Sequence, residues 1–341
     1  MTTEKSQRLI WLDCCKGFAI ICVVIGHIAD GYLKANMFPD HTRLLENIFN
    51  VIYLFHMPLF FCLSGIAFYL AYCKNKNNKN KNKRKMAAQI VNLLWIYILF
   101  SVLLWVMKFV FSGTVNHEVS INDLYMIPLK PIGEYWYLYA LLFFYLLGSV
   151  TSKLQPTLEC GLFGITFLIS CTTAFISYNG VFPLKTILYY FVFFFLGIIL
   201  GKTELSGGII ENKKIVVATV ILSIISVILT VILHVNVSKI PFFATICGTI
   251  TTLAIICIFR RTVKWNMLQK IGAYSLDIYL LHTFITAASR KMLFKVGITS
   301  FYPNILINFI MAMCLPIVIS FVLKKINVYF YIFKPVQIKK E

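Results

Sequence analysis

An all-α, polytopic membrane bundle of about ten transmembrane helices is the fold class this sequence predicts, and three observations carry the prediction. Mostly apolar windows of roughly 18 to 25 residues recur along the whole chain, each long enough to cross a hydrocarbon layer. Of the 341 residues 59% are hydrophobic and only 13% charged, where a soluble domain has nearer half and about a quarter. The basic residues cluster between alternate pairs of windows.

The windows fall at 10–33, 46–73, 87–111, 135–151, 158–177, 184–201, 215–235, 241–259, 272–294 and 303–323. They leave no room for a soluble domain, so the chain reads as one transmembrane domain over 1–341. The first window follows a short basic flank, but it contains Asp13 and Lys16 and lacks a small-residue cleavage site. It reads as a retained helix and not a signal peptide. Between the second and third windows, residues 74–86 are almost entirely Lys and Asn with Arg84. A segment with so little to bury reads as a solvated basic loop, either resting on anionic lipid or meeting the phosphates of a nucleotide-like cofactor.

The formal charge of +19 invites a nucleic-acid partner, but the placement of the cations points elsewhere. With a cytoplasmic N-terminus, about two thirds of the 32 basic residues fall in inside segments, as the positive-inside rule requires. Both termini are then cytoplasmic, the chain is a multi-pass protein of the inner (plasma) membrane, and membrane lipid, not nucleic acid, is its surroundings. The ten cysteines are scattered through apolar windows without a CxxC pair, so they read as small apolar side chains, with no disulfide framework and no metal site.

Polar residues inside the windows carry the chemistry. Eleven helical steps separate Lys16 from His27, which returns the two to within roughly 20° of one face at about 16 Å. Asp13 and Asp30 lie three residues outside that pair and share the stripe. Charged groups at such depth are costly against lipid and point to a functional interior. The plain alternative for Lys16 is a snorkelling ammonium paired with Asp13. In the second window His56 lies near mid-membrane beside Pro58, whose missing N–H kinks a helix and exposes carbonyls, and Ser64 follows. His56 either reaches the cavity of His27 or bonds a neighbouring helix. The ninth window holds Ser275, Asp277, Tyr279 and His282, with Tyr279 and His282 on one face. Three mid-membrane histidines with nearby carboxylates suggest proton handling. Trp136 and Tyr139, at the outer end of the fourth window, read as an interfacial aromatic belt or as a platform for a sugar ring.

Three stretches, Trp11-Leu-Asp13-x-x-Lys16-Gly17 through Gly26-His27, Phe55-His56-Met57-Pro58 through Ser64-Gly65, and Ile271-Gly272 through Tyr279-Leu-Leu-His282, occur in the order in which they occur in the membrane-bound acyltransferase-3 family. The chain resembles that family over almost its whole length, nearest to the fucose 4-O-acetylase-like and polysaccharide O-acetyltransferase branch. The resemblance implies an O-acyltransferase that moves acetyl, or another short acyl group such as succinyl, from cytoplasmic acetyl-CoA to a hydroxyl of a cell-surface polysaccharide or lipid-linked sugar. It also implies His27 as the catalytic group, with Lys16 its basic companion; Asp30, one helical turn beyond His27, is then placed to orient the ring or stabilise the imidazolium. Lys16, Arg84 and Lys85 are then the cations available to the CoA phosphates, while His56, Trp136, Tyr139, Tyr279 and His282 line the substrate site. Two departures stand out: the helix from Trp136 has none of the acidic residues that follow a Trp-Ser-Leu motif in another branch, and Arg84 is followed at the Arg-x-x-Arg spacing by Ala87. The rival class is a proton-coupled transporter or glycan exporter, which uses intramembrane His and Asp in relays but brings inverted repeats that this sequence does not display.

Overall fold

The computed structural model describes residues 2–73, 79–110, 119–203, 212–237, 239–262 and 265–336. Every described regular element is helical. In chain order these are α1 (Thr2–Ala35), α2 (Thr42–Phe68), α3 (Lys79–Val110), α4 (Ile121–Tyr125), α5 (Trp136–Thr151), α6 (Pro156–Thr172), α7 (Leu184–Thr203), α8 (Lys213–Ile232), α9 (Pro241–Thr262), α10 (Asn266–Ala273), α11 (Ser275–Lys295), α12 (Phe301–Lys325) and α13 (Tyr329–Phe333). Each predicted window holds a helix. Among the described residues, eight spans are long and apolar enough to cross a membrane. The remaining two windows fall short: α5 has 16 residues, and α11 carries Asp277, Arg290, Lys291 and Lys295.

Two boundaries differ from the sequence expectation. The ninth window is not one helix: Gly272 and Ala273 end α10, Tyr274 breaks the path, and α11 starts at Ser275. Within the expected basic loop, residues 74–78 lie outside the described residues, and from Lys79 onward the chain is already the first turns of α3. Lysine is a good helix former, and these turns extend an apolar helix that burial stabilises downstream. Arg84 and Lys85 are exposed there.

The apolar outer surface suits lipid. On α8, Val217, Ile221, Ile224 and Ile228 recur at helical spacing and are exposed. That stripe is a liability in water and the expected surface in hydrocarbon. Several hydroxyls within the spans close onto carbonyls of their own helix, which suits a dry surrounding. Ser226 donates to Leu222 O at 2.8 Å, Thr230 to Ser226 O at 2.8 Å and Thr249 to Thr245 O at 2.7 Å.

The chain divides into two compact units, Met1–Leu63 with Gly207–Val322, and Ser64–Ser206 with Leu323–Glu341. In the first unit α1 lies against α9, α10 and α11, and α8 lies against α9. Two glycines make the closest of these contacts. A Cβ on Gly17 would fall on the Leu268 carbonyl and 3.2 Å from Gly272 N; one on Gly272 would fall on the Asp13 carbonyl and 3.0 Å from Gly17 N. The two backbones thus touch where neither residue has a side chain. Pro58 lies inside α2, where its missing N–H releases the carbonyl four residues back, Leu54 O. Gly248 of α9 comes up against that oxygen, and a Cβ there would stand 2.7 Å from it.

In the second unit α3 lies against α5, and α5 and α6 against α7. Glu159 in the first turn of α6 and Lys202 in the last turn of α7 form an ion pair of 2.8 Å, each charge placed where its helix dipole favours it. Asn92, 7% exposed on α3, donates Nδ2 to Val336 O at 3.0 Å and accepts from Val336 N at 2.9 Å. One amide thereby tethers the segment after α13. Asn92→Leu should remove both bonds, at about 1 kcal/mol each, and speed amide hydrogen exchange over 329–336 while the rest of the protein exchanges as before; unchanged exchange there refutes the tether.

Candidate active site: a three-histidine cluster

The site is built by three helices of the first unit. α1 supplies His27, α2 supplies Tyr53 and His56, and α11 supplies Tyr279 and His282. The rings of His27 and His282 are 5.0 Å apart between centroids, tilted by 60°. Tyr53 neighbours both His27, at 6.1 Å, and His56, at 4.6 Å, its ring plane steeply inclined to each. Tyr279 lies 6.2 Å from His282 on the same helix face.

Backbone carbonyls set the tautomers of two rings. His56 Nδ1 is 2.8 Å from Ile52 O, and His282 Nδ1 lies 3.0 Å from Ile278 O and 2.8 Å from Tyr279 O. A carbonyl only accepts, so Nδ1 must carry the hydrogen in both. In the neutral ring Nε2 then keeps its lone pair, on the side of the imidazole turned away from its own helix. His56 and His282 are buried, at 2% and 0% exposure, while His27 retains accessible surface. Of the three, His27 is the least buried, and the other two have Nδ1 held by carbonyls of their own helices.

The remaining predicted residues are distributed as follows. Lys16 Nζ pairs with Asp13 Oδ1 at 3.4 Å, each side chain about a third exposed, eleven residues and about 16 Å along α1 from His27. Asp30 Oδ2 accepts from Lys34 Nζ at 2.7 Å, an ion pair within its own helix. Asp277 is buried in the first turn of α11, where the helix N-terminus favours a carboxylate. Ser64 shares a 2.8 Å hydrogen bond with the Tyr137 hydroxyl in the second unit. Trp136, Tyr139, Arg84 and Lys85 also belong to that unit. The Tyr139 hydroxyl donates to Pro128 O at 2.9 Å and its ring lies among Tyr97, Phe143 and Phe182, while Trp136 lies 5.0 Å from Tyr190. Tyr139 is thus tied into its own unit by its polar end.

Sequence reasoning missed four features of the first unit. Tyr53 sits three residues before His56, a spacing that places both on one face. Gly17 and Gly272 touch across 255 residues of sequence, which helical periodicity cannot reveal. A buried hydrogen-bond network joins α1, α11 and α12: the Tyr32 hydroxyl donates to Asn304 Oδ1, Asn308 Nδ2 donates to the Tyr32 hydroxyl at 3.1 Å, and Ser289 donates to Asn308 Oδ1 at 2.8 Å. Asn304 and Asn308, four apart, were its sequence signal. The fourth feature is Arg290, 7% exposed at the end of the same network.

The chain is a polytopic membrane helical bundle that gathers three imidazoles in its first unit, side chains of the kind that handle protons. The chain belongs to the acyltransferase-3 family, whose acyltransferase-domain model matches residues 9–325; the resemblance carried by the three motifs is therefore a family membership. It is similar to nodulation protein NolL of Sinorhizobium fredii (strain NBRC 101917 / NGR234), 26% identical over 215 residues covering 62% of this chain and 54% of that protein. Nodulation protein NolL of Mesorhizobium japonicum (strain LMG 29417 / CECT 9101 / MAFF 303099) is 27% identical over 136 residues, 40% of this chain and 34% of that one. The matched stretches thus span about half or less of these relatives' length. No solved structure matches the chain.

Proposed function

We propose that this protein is an O-acyltransferase that moves an acetyl or other short acyl group from cytoplasmic acyl-CoA to a hydroxyl of a cell-surface polysaccharide or lipid-linked sugar. The observation that carries the reading is the accessible His27 ring held 5.0 Å from His282 in a chain of the acyltransferase-3 family. In this reading the chain is a single transmembrane domain in the plasma membrane, crossing it about ten times with both termini in the cytoplasm, as the basic segments favour.

His27 takes the proton of the attacking sugar hydroxyl, a task for a neutral imidazole, and returns it to the departing thiolate. Direct transfer and an acyl-His27 intermediate use the same ring. His56 and His282, with Nδ1 held by backbone carbonyls, keep neutral neighbours around it and turn acceptor lone pairs to hydroxyls; Tyr53 and Tyr279 complete the wall. Acyl-CoA is a polyanion, and the exposed cations Arg84 and Lys85, with Lys16 part-exposed beside Asp13, are groups of the chemistry its phosphates need. Asp30, one turn beyond His27 and paired with Lys34, acts on the ring through the local field.

The test is reconstitution in vesicles with acetyl-CoA inside and acceptor glycan outside. Free CoA thiol should accumulate beyond one equivalent of protein only when both protein and glycan are present, with ester on the glycan by NMR. Glycan crossing the membrane on a proton gradient, without CoA release, overturns the enzyme in favour of transport.

A further inference from the structure

Arg290 closes the polar network beyond the histidines, and its N–H donors are left without a direct acceptor among the described residues. The residue is 7% exposed, yet among the described residues its guanidinium makes no hydrogen bond and no ion pair. Its contacts are of other kinds. It lies over the Tyr32 ring at 5.6 Å and fills the space above Gly31, where any Cβ would collide with Nη1. Asp30 is within electrostatic reach, but the Asp30 carboxylate is already engaged by Lys34 at 2.7 Å. A cation–π contact of this kind supplies no hydrogen-bond acceptor to the N–H donors of the guanidinium. A buried guanidinium is normally paired, because its N–H groups must recover what they lost in water.

The setting is that of a built site. Tyr32, which carries the cation, is itself 1% exposed and fixed through its hydroxyl by Asn304 and Asn308. Lys34, Lys291 and Lys295 are exposed nearby on α1 and α11, and they favour the approach of an anion. Gly31 is four residues past His27, so the guanidinium stands about one helical turn, roughly 6 Å, along α1 from the accessible imidazole. It lies on the side of His27 away from Lys16.

We propose that Arg290 anchors an oxyanion, a carboxylate or a phosphate, borne by the acceptor sugar, and so selects acidic glycans or sugar phosphates and presents a neighbouring hydroxyl to His27. This rests on the O-acyltransferase reading for what the bound sugar is for, but not for its binding. Planar, bidentate recognition of either oxyanion is what a guanidinium does best.

Binding to the full-length protein in nanodiscs, without acyl donor, is the test, with glucuronic acid, glucose 1-phosphate and glucose as probes. Wild type should bind at least one of the two anionic sugars tenfold or more tightly than glucose, and the stronger of the two tells carboxylate from phosphate. Arg290→Gln should abolish the preference, Arg290→Lys should retain part of it, and Lys213→Gln, on α8, should leave it in place. Equal binding of all three sugars by wild type, or a preference that survives Arg290→Gln, overturns the proposal. If the Gln variant is not recovered as a monodisperse protein, competition on wild type decides: inorganic phosphate must displace the preferred anionic sugar, and failure to do so overturns the site. Because no acyl donor is present, failure of acyl transfer would leave this result standing, and failure of anion binding would leave transfer to neutral glycans intact.

Discussion

His27→Ala is expected to lower O-acetyl transfer by about two to four orders of magnitude, the range that a positioned acid–base group supplies, at unchanged protein level in the membrane. Alanine also removes a ring packed 5.0 Å from His282 and 6.1 Å from Tyr53, so a loss of activity alone does not separate chemistry from packing. His27→Gln does: it fills much of the space and keeps hydrogen-bonding atoms but cannot take up a proton near neutral pH. It should be as inactive as the alanine variant. His56→Ala and His282→Ala should fall between wild type and these variants, because their Nδ1 atoms are committed to backbone carbonyls and both rings are buried. Undiminished glycan acetylation in either His27 variant removes His27 from the reaction.

The variants also separate the two chemical routes. If His27 is acylated before transfer, wild type incubated with labelled acetyl-CoA and no acceptor should hold label that His27→Gln does not. Label absent from both, with wild type active once glycan is added, leaves direct attack with His27 as base. Either outcome keeps His27 at the centre, because both routes need the accessible ring.

The membrane architecture was legible because hydrocarbon imposes a length and a composition on every span, and both are local properties of sequence. The three histidines were legible for a related reason: polar groups at that depth are rare, and those that occur need a use. What stayed hidden is what arises between helices. The break at Tyr274 falls in an apolar run, and only the fit of α10 against α1 explains it. Arg290 is one cation among many in a basic sequence, and its burial depends on Gly31 and Tyr32 contributed by α1. Tyr139 has the residue type of a sugar platform, but its hydroxyl is held by Pro128 O, a partner in an irregular loop that periodicity does not place. The first turns of α3 were read as loop because composition says what a segment lacks for burial and not whether a neighbouring helix will carry it onward.

The contact between Gly17 and Gly272 yields the second large effect. Each Cα faces the other helix's backbone, with the Leu268 carbonyl opposite one and the Asp13 carbonyl opposite the other, so an added methyl meets atoms that no rotamer change can withdraw. Gly17→Ala should destabilise the protein by about 1–3 kcal/mol, the usual range for overpacking, read as a lower thermal midpoint in detergent; Gly17→Leu should prevent accumulation of folded protein. Because both glycines serve one contact, Gly17→Ala with Gly272→Ala should cost less than the two separately, the non-additivity of neighbours. Gly164→Ala on α6 is the counterpart, since nothing lies within 4 Å of its Cβ position; there alanine should be neutral or stabilise by about 0.5–1 kcal/mol through helix propensity. Activity should fall with stability at Gly17 and not at Gly164, because α10 leads through Tyr274 directly into the helix that carries His282. A methyl that wedges α10 from α1 therefore also moves His282 relative to His27. Equal midpoints for Gly17→Ala and Gly164→Ala refute the backbone contact, and a destabilised but fully active Gly17→Ala refutes its link to the histidine cluster.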